Sequence, residues 1–173
     1  MPRALVVAHP DDESLWFGGL VAAEPGDWTI ICCSIPRTDP IRAEKFFDAC
    51  KVLSAKAELI RLVETETLDI SSLDLSGFDQ IVTHNSVGEY GHQHHLQLNR
   101  HLVAKYGEKI VTGCYGKLPG PKRIALNEHQ LGLKLAALRC YDHVSPSDGI
   151  PKWRALIDRY GGKFDLGVET YSA

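Results

Sequence analysis

The sequence is short of the features that settle a protein's class at a glance. It contains no run of 18 apolar residues, so no membrane-spanning helix is expected. The opening Met1-Pro2-Arg3-Ala4-Leu5-Val6-Val7-Ala8-His9 has too brief an apolar stretch for a secretory signal. Its five cysteines are odd in number and include no C-x-x-C pair, which excludes a disulfide framework and makes a reducing cytoplasm the expected home. Positive charge is not in excess. With 19 basic against 22 acidic residues the net charge is −3, and a general nucleic-acid binder would need a basic face. No G-x-G-x-x-G follows the first apolar run, and Gly18-Gly19 falls inside the first helix, which argues against a dinucleotide site. Internal repeats, low-complexity tracts and long linkers are missing too. The 173 residues, 44% apolar and 24% charged, are therefore expected to fold as a single domain, 1–173, large enough to need no metal or disulfide staple.

What is present is alternation. Arg3–Ala8 and Trp28–Ser34 are short apolar runs fit for buried strands, and Glu58–Val63, Asp79–His84, Lys109–Cys114 and Phe164–Tyr171 read as further strands. Helical spacing runs from near Glu13 to Pro25-Gly26, and over Pro40–Ser54, Tyr90–Lys105, Asn127–Tyr141 and Lys152–Tyr160. Glu64–Gly77 reads as loop with room for a short helix, and Gly116–Arg123 as a loop. Such alternation implies an α/β fold: a mostly parallel sheet with right-handed crossovers, flanked by helices, that binds ligands beyond the carboxyl ends of its strands.

Histidine is unevenly distributed. Five of the eight (His84, His92, His94, His95 and His101) lie within residues 84–101, where an even scatter would put about one. The other unusual stretch is His9-Pro10-Asp11-Asp12-Glu13. Each stretch directly follows an expected buried strand, so the sheet would bring both to one rim. His9 and Asp12 are three apart and can converge on one metal ion. The adjacent Asp11 and Asp12 repel unless a helix N-terminus or a cation lies beside them. A plain alternative is that Asp11, Asp12 and Glu13 only cap the next helix, although capping leaves His9 unexplained. In Gly88-Glu89-Tyr90-Gly91-His92-Gln93-His94-His95, His92 and His95 share one helical face and His94 is expected to point elsewhere. The plain alternative here is a solvated helix start. Two histidines and one carboxylate would leave a coordination position open, the pattern of a catalytic rather than a structural zinc site. Such nitrogen and oxygen donors also suit Fe2+, Co2+ or manganese.

Ala8-His9-Pro10-Asp11-Asp12-Glu13, joined to the later Gly91-His92-Gln93-His94-His95, resembles the PIG-L/LmbE-like deacetylase family. The resemblance runs from about Arg3 to Tyr141, and the A-H-P-D-D-E run is its most specific part. Arg42-Ala43-Glu44, opening a helix that ends Lys51-Val52-Leu53, is similar to the family's R-x-x-E helix, with the Glu two residues after Arg42. The resemblance implies a Rossmann-like three-layer fold. It also implies a metal-dependent, usually zinc-dependent hydrolase that removes an N-acetyl group from an amino sugar or sugar conjugate. By position, His9, Asp12 and His95 would hold Zn2+, Asp11 would be the general base, and His92 would support the oxyanion as a cation or act as an acid. His94 stands where the family often carries an acid. The chain is also shorter than most members, in the segments that shape the sugar pocket. Alternative readings are a binding protein for a sugar or nucleotide that has lost catalysis, and a hydrolase of another N-acyl small molecule.

Weaker candidates surround these motifs. Arg42 could reach a phosphate or sugar hydroxyl, or be only an exposed arginine at a helix start. Tyr90 could stack on a sugar ring; Trp16 could too, though core is its commoner place. His84 could orient a ligand. Lys117, Lys122 and Arg123 form a small basic group, read first as solvated loop. Cys32 and Cys33 read as inert core. The oligomeric state has no signature in the sequence.

Overall fold

A computed structural model describes residues 1–63, 67–68, 70–113, 122–144, 149–161 and 166–172. The strands are Arg3–Val7 (β1), Trp28–Ile35 (β2), Lys56–Val63 (β3), Gln80–Thr83 (β4), Ile110–Gly113 (β5), Lys122–Ala125 (β6) and Val168–Ser172 (β7). The helices are Asp12–Ala23 (α1), Arg42–Val52 (α2), the short Gly88–Gly91 (α3), Gln93–Tyr106 (α4), Glu128–Arg139 (α5) and Lys152–Tyr160 (α6). The strands form one seven-stranded sheet in the order β3-β2-β1-β4-β5-β7-β6. The first five run parallel; β7 pairs antiparallel with both β5 and β6. The α/β class read from the alternation is what the chain adopts.

Both faces of the sheet are covered, which is why β1 and β2 read as unbroken apolar runs rather than alternating ones. On one face Leu5, Val7, Ile30 and Cys32 pack with Leu15, Trp16, Phe17, Phe46, Ala137, Leu138 and Leu156, from α1, α2, α5 and α6. On the other, Val6, Ala8, Ile31, Cys33 and Ile81 pack with Leu98 and Leu102 of α4 and with Ile70 and Leu75. Three layers result. Cys32 and Cys33 are fully buried, as expected of core. The order of connection reverses between β1 and β4, and at such a switch point the strand ends diverge and leave a crevice.

Helix α1 is buried over most of its length, Asp12 to Val21, because it lies between the sheet and α5. Its middle is unusual. The carboxylate of Glu169, from β7, accepts the backbone N–H of Gly19 at 2.8 Å and of Leu20 at 2.7 Å. Lys134 of α5 meets the same carboxylate at 2.5 Å, and the Tyr171 hydroxyl donates to it as well. All of this is dry: Glu169 is 0% and Lys134 1% exposed. Only glycine fits at position 19, where a Cβ would sit 2.6 Å from the Glu169 carboxyl carbon. Gly→Ala inside a helix ordinarily stabilises. Here Gly19→Ala is expected to lower stability by about 1–3 kcal/mol and the melting midpoint by several degrees. A thermal melt checks it, and an unchanged or raised midpoint would show that Glu169 gives way freely.

Several boundaries differ from the sequence reading. The helix expected over Tyr90–Lys105 is two pieces, broken at His92, whose φ of −68° and ψ of 125° are extended. Gly91, at φ 91°, turns the chain there. Lys122 and Arg123 belong to strand β6 rather than to a loop. Cys114, Gly116–Pro121 with Lys117, and the start of the Phe164–Tyr171 strand lie outside the described residues, as do 64–66 and 69; the described part of Glu64–Gly77 holds no helix.

Candidate metal centre and active site

The two histidine-bearing stretches meet at the switch point. His9, Asp11 and Asp12 leave the end of β1, and His84, Glu89, His92, His94 and His95 follow the end of β4. The Oδ2 of Asp12 lies 3.4 Å from Nδ1 of His9, 3.2 Å from Nε2 of His95 and 3.4 Å from Nε2 of His84. The donor atoms fall into two overlapping groups, His9–His92–His95 and Asp12–His84–His95, each within 4.8 Å, with His95 common to both.

Asp11 occupies the N-cap position of α1, but its side chain makes no capping bond, so capping does not account for the D-D-E run. Its φ of 101° is strained for any residue but glycine. Glu13 helps hold it: a Glu13 carboxylate oxygen accepts the Asp11 N–H at 2.9 Å, while the other accepts from Ser14 at 2.6 Å and from the Tyr141 hydroxyl at 2.8 Å. Burial raises the Glu13 carboxyl to about 7. Arg42 is buried, not the exposed helix-start arginine. It donates to the Asp11 carboxylate and to the Pro10 carbonyl, and its Nε has no hydrogen-bond partner among the described residues. Burial raises the Asp11 carboxyl above its ordinary value, with the Arg42 charge pulling the other way. Asp12 is held well below it: burial disfavours its charge, but His95 and His84 outweigh that.

Glu89 was not singled out in the sequence, and it organises the other half. It sits at a left-handed φ of 55°, between Gly88 and Gly91, which also have positive φ. From there Oε2 meets Nδ1 of His95 at 2.6 Å and Nδ1 of His84 at 3.0 Å. These contacts direct Nε2 of His95 inward, where it is buried without a hydrogen-bond partner among the described residues. His84 is a prop of a different kind. The Ala8 N–H donates to its Nε2 at 3.1 Å, which leaves the ring proton on Nδ1, facing Glu89. Burial opposes charge on this ring, and Glu89 and Asp12 outweigh it to raise the pKa to about 9. A second proton would confront the Ala8 N–H, so the geometry favours the neutral ring with Nε2 already taken.

His92 ends the turn before α4. Its Nδ1 accepts the His94 N–H at 3.2 Å, so in the neutral ring the proton is on Nε2. Burial, helped by His9 and His95, pushes His92 down to about 4, which does not favour the cationic His92 expected from the resemblance. His94 does not point away. It is buried, with Nδ1 2.9 Å from Nε2 of His9, because α4 starts one residue later than a helix through His92 would require.

A cavity of about 200 Å³ opens beside this cluster. Its walls include His9, Asp11, Asp12, Arg42 and His92, together with Trp16, Tyr90, Lys152, Arg159 and Tyr160. Tyr90 is 48% exposed, with its ring 5.2 Å from that of Tyr160. Trp16 is a core residue that also lines the cavity.

The α/β class, with its histidine and aspartate cluster at the strand-order reversal, places the chain among open doubly wound sheets. No protein-family model matches it. Among solved structures, N,N'-diacetylchitobiose deacetylase from Pyrococcus horikoshii superposes with a TM-score of 0.65 at 18% identity, covering 99% of this chain and 82% of that one. The zinc-inhibited form of teicoplanin deacetylase Orf2 gives 0.58 at 13%, covering 98% and 96%. GalB, the 4-carboxy-2-hydroxymuconate hydratase from Pseudomonas putida KT2440, gives 0.64 at 16%, covering 99% and 95%. The likeness at these identities is one of fold. It extends to deacetylases and to a hydratase alike, so the reaction must be argued from the site.

Proposed function

We propose that this chain, acting as one domain, is a metal-dependent N-deacetylase that hydrolyses the acetamide of a small amino sugar or sugar conjugate, with His9, Asp12 and His95 holding zinc. The observation that carries the reading is the Nε2 of His95: buried without a hydrogen-bond partner among the described residues, 3.2 Å from the Asp12 carboxylate and aimed by Glu89. An imidazole so placed fits a divalent cation, and a carboxylate on its far nitrogen is the usual support for a metal-binding histidine. Nitrogen and oxygen donors without thiolate suit Zn2+, and also Fe2+ and Co2+. The deacetylase structures that share the fold support the reaction class.

When bound, the ion would supply a Lewis acid for a water and for the amide oxygen. The chain's own residues do the rest. Asp11, placed at the cavity wall and fixed by Arg42, accepts a proton from the attacking water and returns it to the leaving nitrogen, which must depart as an amine. His92, neutral and protonated at Nε2, donates to the carbonyl oxygen as negative charge develops there. Arg42 acts here by positioning Asp11, while Tyr90, half exposed at the cavity and backed by Tyr160, offers a ring to the sugar. The cavity is smaller than the roughly 300–1,000 Å³ typical of drug-sized ligands, which favours a monosaccharide-sized substrate.

The test pairs metal analysis with acetate release from N-acetylglucosamine derivatives. The wild-type chain is expected to carry close to one divalent ion and to release acetate. His95→Ala is expected to lose the ion and the activity together. Bound metal with no release from any acylated amine would overturn the enzyme reading and leave a sugar- or nucleotide-binding protein.

A further inference from the structure

The cavity wall carries positive charge, part of which the chemistry above does not use. Three cations border it: Arg42, Lys152 and Arg159. Arg42 is committed to Asp11 and the Pro10 carbonyl. Asp12, the other carboxylate in the wall, is committed to the histidines around it. Lys152 and Arg159 remain. They sit at the two ends of α6, one half-buried and one exposed, and neither forms an ion pair with a described residue. Arg154, on the same helix, does not border the cavity and pairs with Asp158 at 3.8 Å. Among the described residues the two cavity cations thus have no ion-pair partner, although Lys152 is near enough for its charge to bear on Asp11. The same cavity is lined by the rings of Tyr90 and Tyr160, their centroids 5.2 Å apart.

We propose that the substrate is an anionic N-acylated sugar, whose phosphate or carboxylate is held by Lys152 and Arg159 while its acylamino group lies at the His9–Asp12–His95 end. The proposal rests on the deacetylase reading for which end of the ligand reacts, but not for the anion site itself. A fixed anion at α6 sets the distance and direction of the amide from Asp11, so charge recognition doubles as orientation. The basic residues noted in the sequence, Lys122 and Arg123, have no part in it. They lie in β6, at the far edge of the sheet from β1, and Lys122 pairs with Glu24.

The experiment compares acetate release from N-acetylglucosamine 1-phosphate, from a carboxymethyl glycoside of N-acetylglucosamine, and from the neutral methyl glycoside. At least one charged compound is expected to exceed the neutral one by about tenfold or more in kcat/KM, in keeping with hydrogen bonds to charged groups. Which one leads identifies phosphate or carboxylate as the preferred group. In the Lys152→Gln/Arg159→Gln double variant that ratio is expected to fall by about tenfold, whereas Arg154→Gln leaves it unchanged. A charged-to-neutral ratio near one in the wild type, or a ratio that survives the double substitution, would overturn the anion site and leave the deacetylase reading standing. Saturable binding of a charged compound that the double variant abolishes, without acetate release, would uphold the anion site and sink the deacetylase reading. Neither release nor binding would overturn both.

Discussion

Replacing Asp11 by Asn is expected to lower turnover of an N-acetylated sugar by about 10²–10⁴-fold while metal content stays at the wild-type level. The substitution changes little but basicity. Asn is among the non-glycine residues that best tolerate a positive φ, so the backbone at 101° can persist. The amide oxygen can still accept from Arg42, which also keeps the Pro10 carbonyl. What disappears is a carboxylate that can take a proton from water and hand it to the leaving nitrogen. Single-turnover acetate release, with metal analysis on the same samples, separates the roles. A large rate loss with metal retained supports Asp11 as the base; loss of metal would make it a ligand; full turnover would remove it from the chemistry. His95→Ala provides the contrast, because there metal and rate are expected to fall together.

The largest expected effect on stability comes from Lys134→Met. The ammonium group is buried against the Glu169 carboxylate at 2.5 Å, and removing one partner of a dry ion pair leaves the other charge uncompensated, at a cost of about 3–5 kcal/mol. The Gly19 and Leu20 amides and the Tyr171 hydroxyl still donate to that carboxylate, which holds the loss toward the lower figure. Urea denaturation measures it. The double variant Lys134→Met/Glu169→Gln is expected to recover part of the loss, since the stranded charge is gone. If the single variant lost less than about 1 kcal/mol, the four donors around Glu169 would be acting independently rather than as a network.

The sequence was most legible where one physical requirement dominated. Strands β1 and β2 lie inside a two-sided sheet, and their unbroken apolar runs announced it. The His9–Asp12 spacing and the histidine concentration after β4 pointed to a common rim; the two stretches do meet there, although His9 groups with His92 and His95 while Asp12 groups with His84 and His95. Helical spacing misled at His94, because it assumed a helix running through His92. The chain turns at Gly91, His92 caps the turn, and the next face brings His94 against His9. Glu89 was missed because a lone carboxylate between glycines looks like solvated loop. The signal to read was the pair of flanking glycines, Gly88 and Gly91, which permit the bend that aims it. Arg42 had equal claims as a surface arginine, and only packing shows that its charge is spent on Asp11. Lys152 and Arg159 were legible as members of a helix but not as cavity wall, since nothing local says that α6 folds back over the strand ends.

The bond between Glu169 and Gly19 spans 150 residues of chain. During synthesis on a ribosome, two amides of helix α1 lack this acceptor until nearly everything else described here has been made. Contacts so distant in sequence form late and slowly, so the helix beneath His9 and Asp12 cannot reach its final state by local pairing alone. Completion of the site is thereby tied to release of the distal strand, and a partly translated chain has the two histidine stretches but not the brace behind them.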